Sequence, residues 1–120
     1  MKMGKKFSGG KYTKSRKKKK YELPGQKRTV KLSEKEKRKS KKVRGGNLKT
    51  FLLQAKVVNV RENGKSTKLE IKNVLETPSN RFLARQNVIT KGTIVQTDAG
   101  KVRVTNRPSQ EGVVNGVPIK

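Results

Sequence analysis

The chain contains no cysteine and no histidine among its 120 residues. These two absences exclude disulfides, zinc sites built from Cys and His, thiol nucleophiles and histidine general bases. Acids are scarce as well. Eight Asp and Glu stand against 33 Lys and Arg, a net charge of +25. The acids are Glu22, Glu34, Glu36, Glu62, Glu70, Glu76, Asp98 and Glu111, and no pair suggests shared general acid and base work. "RGGN" and "TKGT" set glycine near basic residues but lack the full spacing of a phosphate loop. An enzyme is therefore not expected, a metal-dependent nuclease included. No cofactor and no metal site is expected either. No apolar run approaches the roughly 20 residues needed to cross a bilayer, and no signal-peptide core follows the first methionine. The lack of cysteine fits a reducing compartment, and no membrane partner is expected.

Charge is what the chain has in abundance. A net of +25 on 120 residues repels itself and opposes compaction unless a partner supplies counter-charge. Nucleic acid fits that need. Polybasic membrane attachment fits less well, because no lipidation motif accompanies the basic runs. The charge is uneven. Residues 1–49 carry 21 Lys/Arg against 3 acids, and only 10 apolar residues, spread singly. Residues 50–120 carry 12 basic and 5 acidic residues and 25 apolar ones, mostly β-branched or leucine. The second part has the material for a core. The first does not, and is expected to be a basic extension, disordered when alone.

Within the extension, "SEKEKRKSKK" at 33–42 reads as a marginal helix, with Ser33 as N-cap and Glu36 three residues on. The Gly pairs in "FSGG" and "VRGGN" allow either positive φ or close backbone approach to another surface. The second part reads as β. Phe51, Leu53, Ala55 and Val57 alternate, as do Leu69 and Ile71 with Lys68, Glu70 and Lys72. "ENGK" between them signals a hairpin. Pairing Val57 with Leu69 and Ala55 with Ile71 keeps apolar residues on one face. That register requires a three-residue Glu62-Asn63-Gly64 loop with a bulge.

Further on, Thr77 and Pro78 open a short helix with Phe82 and Leu83 facing inward. Strands follow near 87–91, 93–97 and 101–105, then a turn-rich loop containing Pro108, and a last strand within 112–119 bent at Asn115-Gly116. The fold class expected is mostly β: a small antiparallel β-barrel at 50–120 with one short helix, preceded by a long basic extension lacking its own core.

The candidate RNA contacts follow from charge, from interleaved aromatics and from the Gly pairs, with Asn47 beside the second, where backbone can approach closely. Lys and Arg neutralise phosphates with release of counterions, and aromatics in a basic segment stack on unpaired bases. In the first stretch they are Lys5, Lys6, Phe7, Gly9, Gly10, Lys11, Tyr12, Lys14, Arg16, Lys17, Lys18, Lys19, Lys20 and Tyr21. Further along are Lys27, Arg28, Lys41, Lys42, Arg44, Gly45, Gly46, Asn47 and Lys49. On the globular part, Arg81 and Arg85 share one helical face, and Lys91, Lys101, Arg103 and Arg107 sit near strand ends or on strand faces.

Four stretches give the chain a likeness to a known family. They are "SGGKYTKSRKKKKYELPG" at 8–25, "VRGGNLKTFLLQAKVVNV" at 43–60, "TPSNRFLARQNVITKGTIVQTDAGKVRVTNRPSQEG" at 77–112 and "VVNGV" at 113–117. Together they resemble the small-subunit ribosomal protein numbered eight of the archaeal/eukaryotic type. Ser8 stands where that family usually has Thr, and Pro24 interrupts its Glu-Leu-Gly. The lack of a large central insertion is similar to the compact archaeal form. The resemblance implies a structural constituent of the small ribosomal subunit, a barrel at the subunit surface and an extension threaded into ribosomal RNA. It also implies neighbouring ribosomal proteins as partners and a single copy in the particle. The alternative left by composition alone is a free-standing RNA- or DNA-binding chaperone with a basic tail.

Overall fold

A computed structural model describes residues 4–119. The described elements are, in chain order, β1 (Val30–Leu32), β2 (Lys37–Lys42), β3 (Leu48–Ala55), β4 (Val57–Glu62), β5 (Lys65–Glu76), α1 (Arg81–Arg85), β6 (Val88–Ile89), β7 (Ile94–Thr97), β8 (Gly100–Val104) and β9 (Asn115–Pro118). Strands β4, β5, β7, β8 and β9 close a barrel in that order. Its joints are antiparallel except the closing one, where β9 runs parallel to β4. The remaining strands form a second sheet in the order β2-β3-β1-β6. The mostly β fold, the closed barrel and the one short α-helix among the described residues agree with the sequence reading.

One core serves both sheets. Val58, Val60, Ile71, Val74, Val95, Val102 and Val104 from the barrel cluster with Val30, Leu52, Ala55 and Ile89 from the second sheet. Nearly all are β-branched, so their side chains lose little further freedom on packing against a pleated surface. Burying each Val, Leu or Ile among them fully stabilises the fold by about 1.5–3 kcal/mol. Strand pairing reaches back to Val30, which is 1% exposed between β3 and β6. Strand β5 pairs with β4 through its first half and with β7 through its second, with register shifts after Ile71 and Val74. Those bulges bend the strand, as barrel closure requires.

Three local expectations are corrected. The β4–β5 hairpin has a clean two-residue turn, with Val57 opposite Glu70 and Glu62 opposite Lys65. Asn63 and Gly64 take φ of 47° and 81°, which suits a type I′ turn. The three-residue loop rested on one unbroken alternation from Phe51 to Val57. The chain instead slips phase at Lys56, so Val58 and Val60 point inward rather than Val57. Second, residues 37–42 form strand β2, not a helix. A helix there would have no apolar face to bury, whereas pairing along β3 satisfies the backbone directly. Ser40 and Thr50 hydroxyls also bond across that pair at 2.9 Å. Third, Asn80 caps α1, its side chain accepting from the Phe82 amide at 3.1 Å. Thr77 is buried before the helix, and Phe82 is 67% exposed. A five-residue helix offers one narrow inward stripe, and Leu83 and Ala84 occupy it.

The loop between β8 and β9 is held by Asn106. Its amide donates to the Val113 carbonyl at 2.7 Å and its carbonyl accepts from the Asn115 amide at 2.9 Å. The Leu52 amide donates to the Pro108 carbonyl at 3.0 Å, pinning the same loop against β3. The radius of gyration is 21.6 Å, against the ~14 Å of a compact chain of this length. Residues 4–24 therefore stand out from the two sheets rather than folding back over them.

Candidate nucleic-acid interface

Basic residues distant in sequence converge on one groove. Its hollows adjoin and share Lys27 and Arg28 as a common wall. Seven cations line it: Lys27, Arg28, Lys39, Lys41, Lys49, Lys91 and Arg107. They come from five separate stretches, brought together by the fold. Lys27 and Arg28 precede β1, and β1 is fixed by pairing with β3 and β6. Lys39 and Lys41 project from β2 opposite Phe51 and Lys49 of β3. Lys91 occupies the turn after β6, where Gly92 takes a φ of 86°. Arg107 belongs to the loop that Asn106 organises.

The groove has no counter-charge of its own. No acid lines it, and none of the seven cations is ion-paired among the described residues. Four acids are ion-paired elsewhere, among them Glu70 with Lys56 at 3.2 Å and Asp98 with Lys72. The Asp98 carboxylate holds the Lys72 ammonium above its ordinary pKa. Arg28 is held in position rather than free: its guanidinium carbon lies 3.8 Å from the centroid of the buried Phe51 ring. Lys49 donates to the Gln110 side-chain carbonyl. Seven like charges along one groove repel one another within a Debye length of about 8–10 Å. An anionic chain with closely spaced charges relieves that repulsion.

Upstream, residues 5–22 are exposed and make short local structures. Lys5 pairs with Lys11 across a turn in which Gly9 takes a φ of 84°. The Lys6 amide donates to the Gly10 carbonyl at 2.7 Å, and the Lys6 ammonium lies 5.6 Å from the Tyr12 ring centroid. Glu22 forms a two-pronged pair with Arg16, at 2.5 and 2.9 Å, and accepts from the Lys19 amide at 2.9 Å. The Arg16 guanidinium, helped by that amide, draws the Glu22 carboxyl below the usual carboxylate range. Glu22 in turn raises Arg16. The acid closing the basic run is thus a local brace that bends residues 16–22 around itself.

The structure sorts the sequence candidates. Lys27, Arg28, Lys41, Lys49, Lys91 and Arg107 meet in the groove. Lys5, Lys6, Phe7, Gly9, Gly10, Lys11, Tyr12, Lys14, Arg16, Lys17 to Lys20 and Tyr21 lie upstream, with all three aromatics exposed. The second Gly pair forms the β2–β3 turn, Gly45 and Gly46 having φ of 84° and 78°, flanked by Arg44 and closed by the Val43 amide on the Asn47 carbonyl. Its role is therefore positive φ. Lys42, on β2 beside that turn, is exposed. Arg81, Arg85 and Arg103 are exposed on α1 and β8 but do not line the groove. Sequence reasoning missed Lys39 and the Phe51 support beneath Arg28. Lys37, Lys39 and Lys41 alternate, and period 2 would have placed Lys39 with Lys41 had the stretch been read as a strand.

Comparison with known proteins identifies relatives along the whole chain. The sequence pattern of the family described as ribosomal protein S8e matches residues 1–119. Small ribosomal subunit protein eS8 of Staphylothermus marinus is 52% identical over 112 residues, covering 92% of this chain and 88% of the relative. The protein of that name from Pyrobaculum aerophilum is 47% identical over 119 residues, covering 97% and 91%. That of Sulfolobus acidocaldarius is 41% identical over 117 residues, covering 96% and 91%.

Proposed function

The chain belongs to the ribosomal protein S8e family, and from that membership we propose how it holds ribosomal RNA. Membership makes it a structural, non-enzymatic constituent of the small ribosomal subunit, at work in the cytoplasm among ribosomal RNA and other ribosomal proteins. The mechanism is binding. The extension, residues 1–49, threads along RNA, and its Lys and Arg replace condensed counterions on the phosphates. Its part before β1 is disordered alone and takes its shape on the RNA. Phe7, Tyr12 and Tyr21 are exposed and available to stack on unpaired bases. The groove fixes the place where extension and barrel meet on the RNA.

The observation that carries this reading is the groove itself: seven cations from five stretches, without an acid among its lining. A chain selected only for solubility has no reason to gather them. The test is retention in the particle. Small subunits isolated in high-magnesium buffer should contain the protein, and it should stay through a moderate salt wash. Recovery in the wash would favour a free-standing chaperone instead, and absence from the unwashed subunits would count against the assignment.

A further inference from the structure

One hollow of the groove is built differently from the rest. It lies between β1, α1, β6 and the β8–β9 loop and encloses about 440 Å³, within the size range of small-ligand sites. Its floor is apolar, with the half-buried Leu83 at the surface and Val30, Val88, Ile89 and Pro108 buried beneath it. Its rim carries Lys27, Arg28, Lys91 and Arg107. Ser79, Thr90, Ser109 and Gln110 also line it. The Gln110 carbonyl is taken by Lys49, which leaves its amide hydrogens to donate.

This combination selects among anions. A bare phosphate in a backbone track needs cations but no apolar floor. An aliphatic ligand needs the floor but no cationic rim. A nucleoside phosphate needs both, since its base has a poorly hydrated face and a polar edge, and its phosphate is charged. We propose that the hollow receives one unpaired nucleotide of the bound RNA, its base against the apolar floor and its flanking phosphates on the rim. The proposal rests on the RNA-binding reading above. A free nucleotide offers the same groups. The RNA source is favoured because Lys39, Lys41 and Lys49 continue the cations beyond the hollow, where only a polymer brings further phosphates.

The site also depends on the extension. Lys27, Arg28 and Val30 form one wall, so the hollow is complete only while β1 is paired between β3 and β6. The nucleotide would then latch the root of the extension to the barrel.

The test uses the full chain and two labelled RNA hairpins with equal numbers of phosphates, one fully paired and one with a single unpaired 4-thiouridine. The hairpin with the unpaired residue should bind about tenfold more tightly, within what stacking one base provides. On irradiation it should crosslink within residues 79–91 or 107–110. Ser79→Trp fills the hollow from its exposed edge. It should abolish the preference and leave affinity for the paired hairpin unchanged, with circular dichroism confirming the fold. Should that variant not fold, Ser109→Trp serves the same purpose. Equal affinity of the wild type for both hairpins, or crosslinks confined to residues 5–21, overturns the nucleotide site and leaves the RNA-binding reading standing. Failure of both hairpins to bind overturns the reading beneath it. Uridine monophosphate binding as tightly as the hairpin with the unpaired residue would overturn the RNA source.

Discussion

A Cβ placed on Gly116 would lie 2.5 Å from a Val102 γ-carbon and 2.9 Å from the Arg103 carbonyl oxygen. Gly116 sits on β9 where the barrel closes against β4 and β8, so neither neighbour has room to retreat. Gly116→Ala should destabilise the fold by about 1–3 kcal/mol through overpacking, read as a lowered urea midpoint with unchanged slope. Arg16 and Glu22 give a residue-scale effect of another kind. Glu22 is held below its ordinary pKa, so the contribution of the pair is fully present above the usual carboxylate range. It is lost as pH falls through the lowered value. The Lys19 amide resonance should therefore move with the Glu22 titration, and Glu22→Gln should abolish that movement. Tyr21 lies inside the same braced turn and is exposed. Tyr21→Ala should weaken incorporation into the small subunit by more than a neighbouring Lys→Ala does. An equal or smaller effect would return the segment to a plain charge run.

Strand β2 shows what an element adds to its residues. It is an edge strand of six residues, five of them Lys or Arg. Lysine on an edge discourages pairing with another chain, and here alternate lysines also turn into the groove. Replacing Lys39 and Lys41 together by Ala should reduce the slope of log affinity for ribosomal RNA against log salt by about two. Unfolding should shift by no more than about 0.5 kcal/mol, as for other exposed substitutions. A lost fold with an unchanged slope would refute the role given to these lysines. The same strand shows where the sequence was hard to read. Its composition names no secondary structure, because the strand owes its form to the free edge of β3 and not to any apolar pattern of its own. The β4–β5 register failed for a related reason: the phase slip at Lys56 leaves no trace in a run of alternating apolar residues. The barrel strands themselves were legible, because inward valines alternate with charged residues. Asn63-Gly64 was legible as a turn, though not as this turn. Of the groove, charge gave most of the members. Their convergence depends on β1 pairing with β3 and β6, contacts between residues more than twenty apart that no local pattern announces.

Across the whole molecule the physics changes near Val30. From there onward amides are tied into two sheets that share a core; Leu32, for example, donates to the Asn87 carbonyl at 2.9 Å. Before it, the backbone bonds of residues 5–22 are local, such as Lys6 to Gly10 and Glu22 to Lys19, and no apolar side chain is buried. Isolated local bonds of this kind resist exchange poorly, since breaking one exposes nothing else. In the free protein, amides of Val30–Leu32 and of the barrel strands should therefore exchange slowly, and those of residues 5–22 at nearly the unprotected rate. On ribosomal RNA the order should change. Phosphates remove the repulsion that keeps the basic run apart, and bound RNA excludes water from its backbone. Residues 5–22 should then gain protection, while the barrel, already near its limit, changes little. Slow exchange of residues 5–22 without RNA would show that the extension is folded before it binds. Fast exchange in the complex would show that it stays a diffuse electrostatic tail. Only protection that appears with RNA fits an extension shaped by its partner and anchored at the groove.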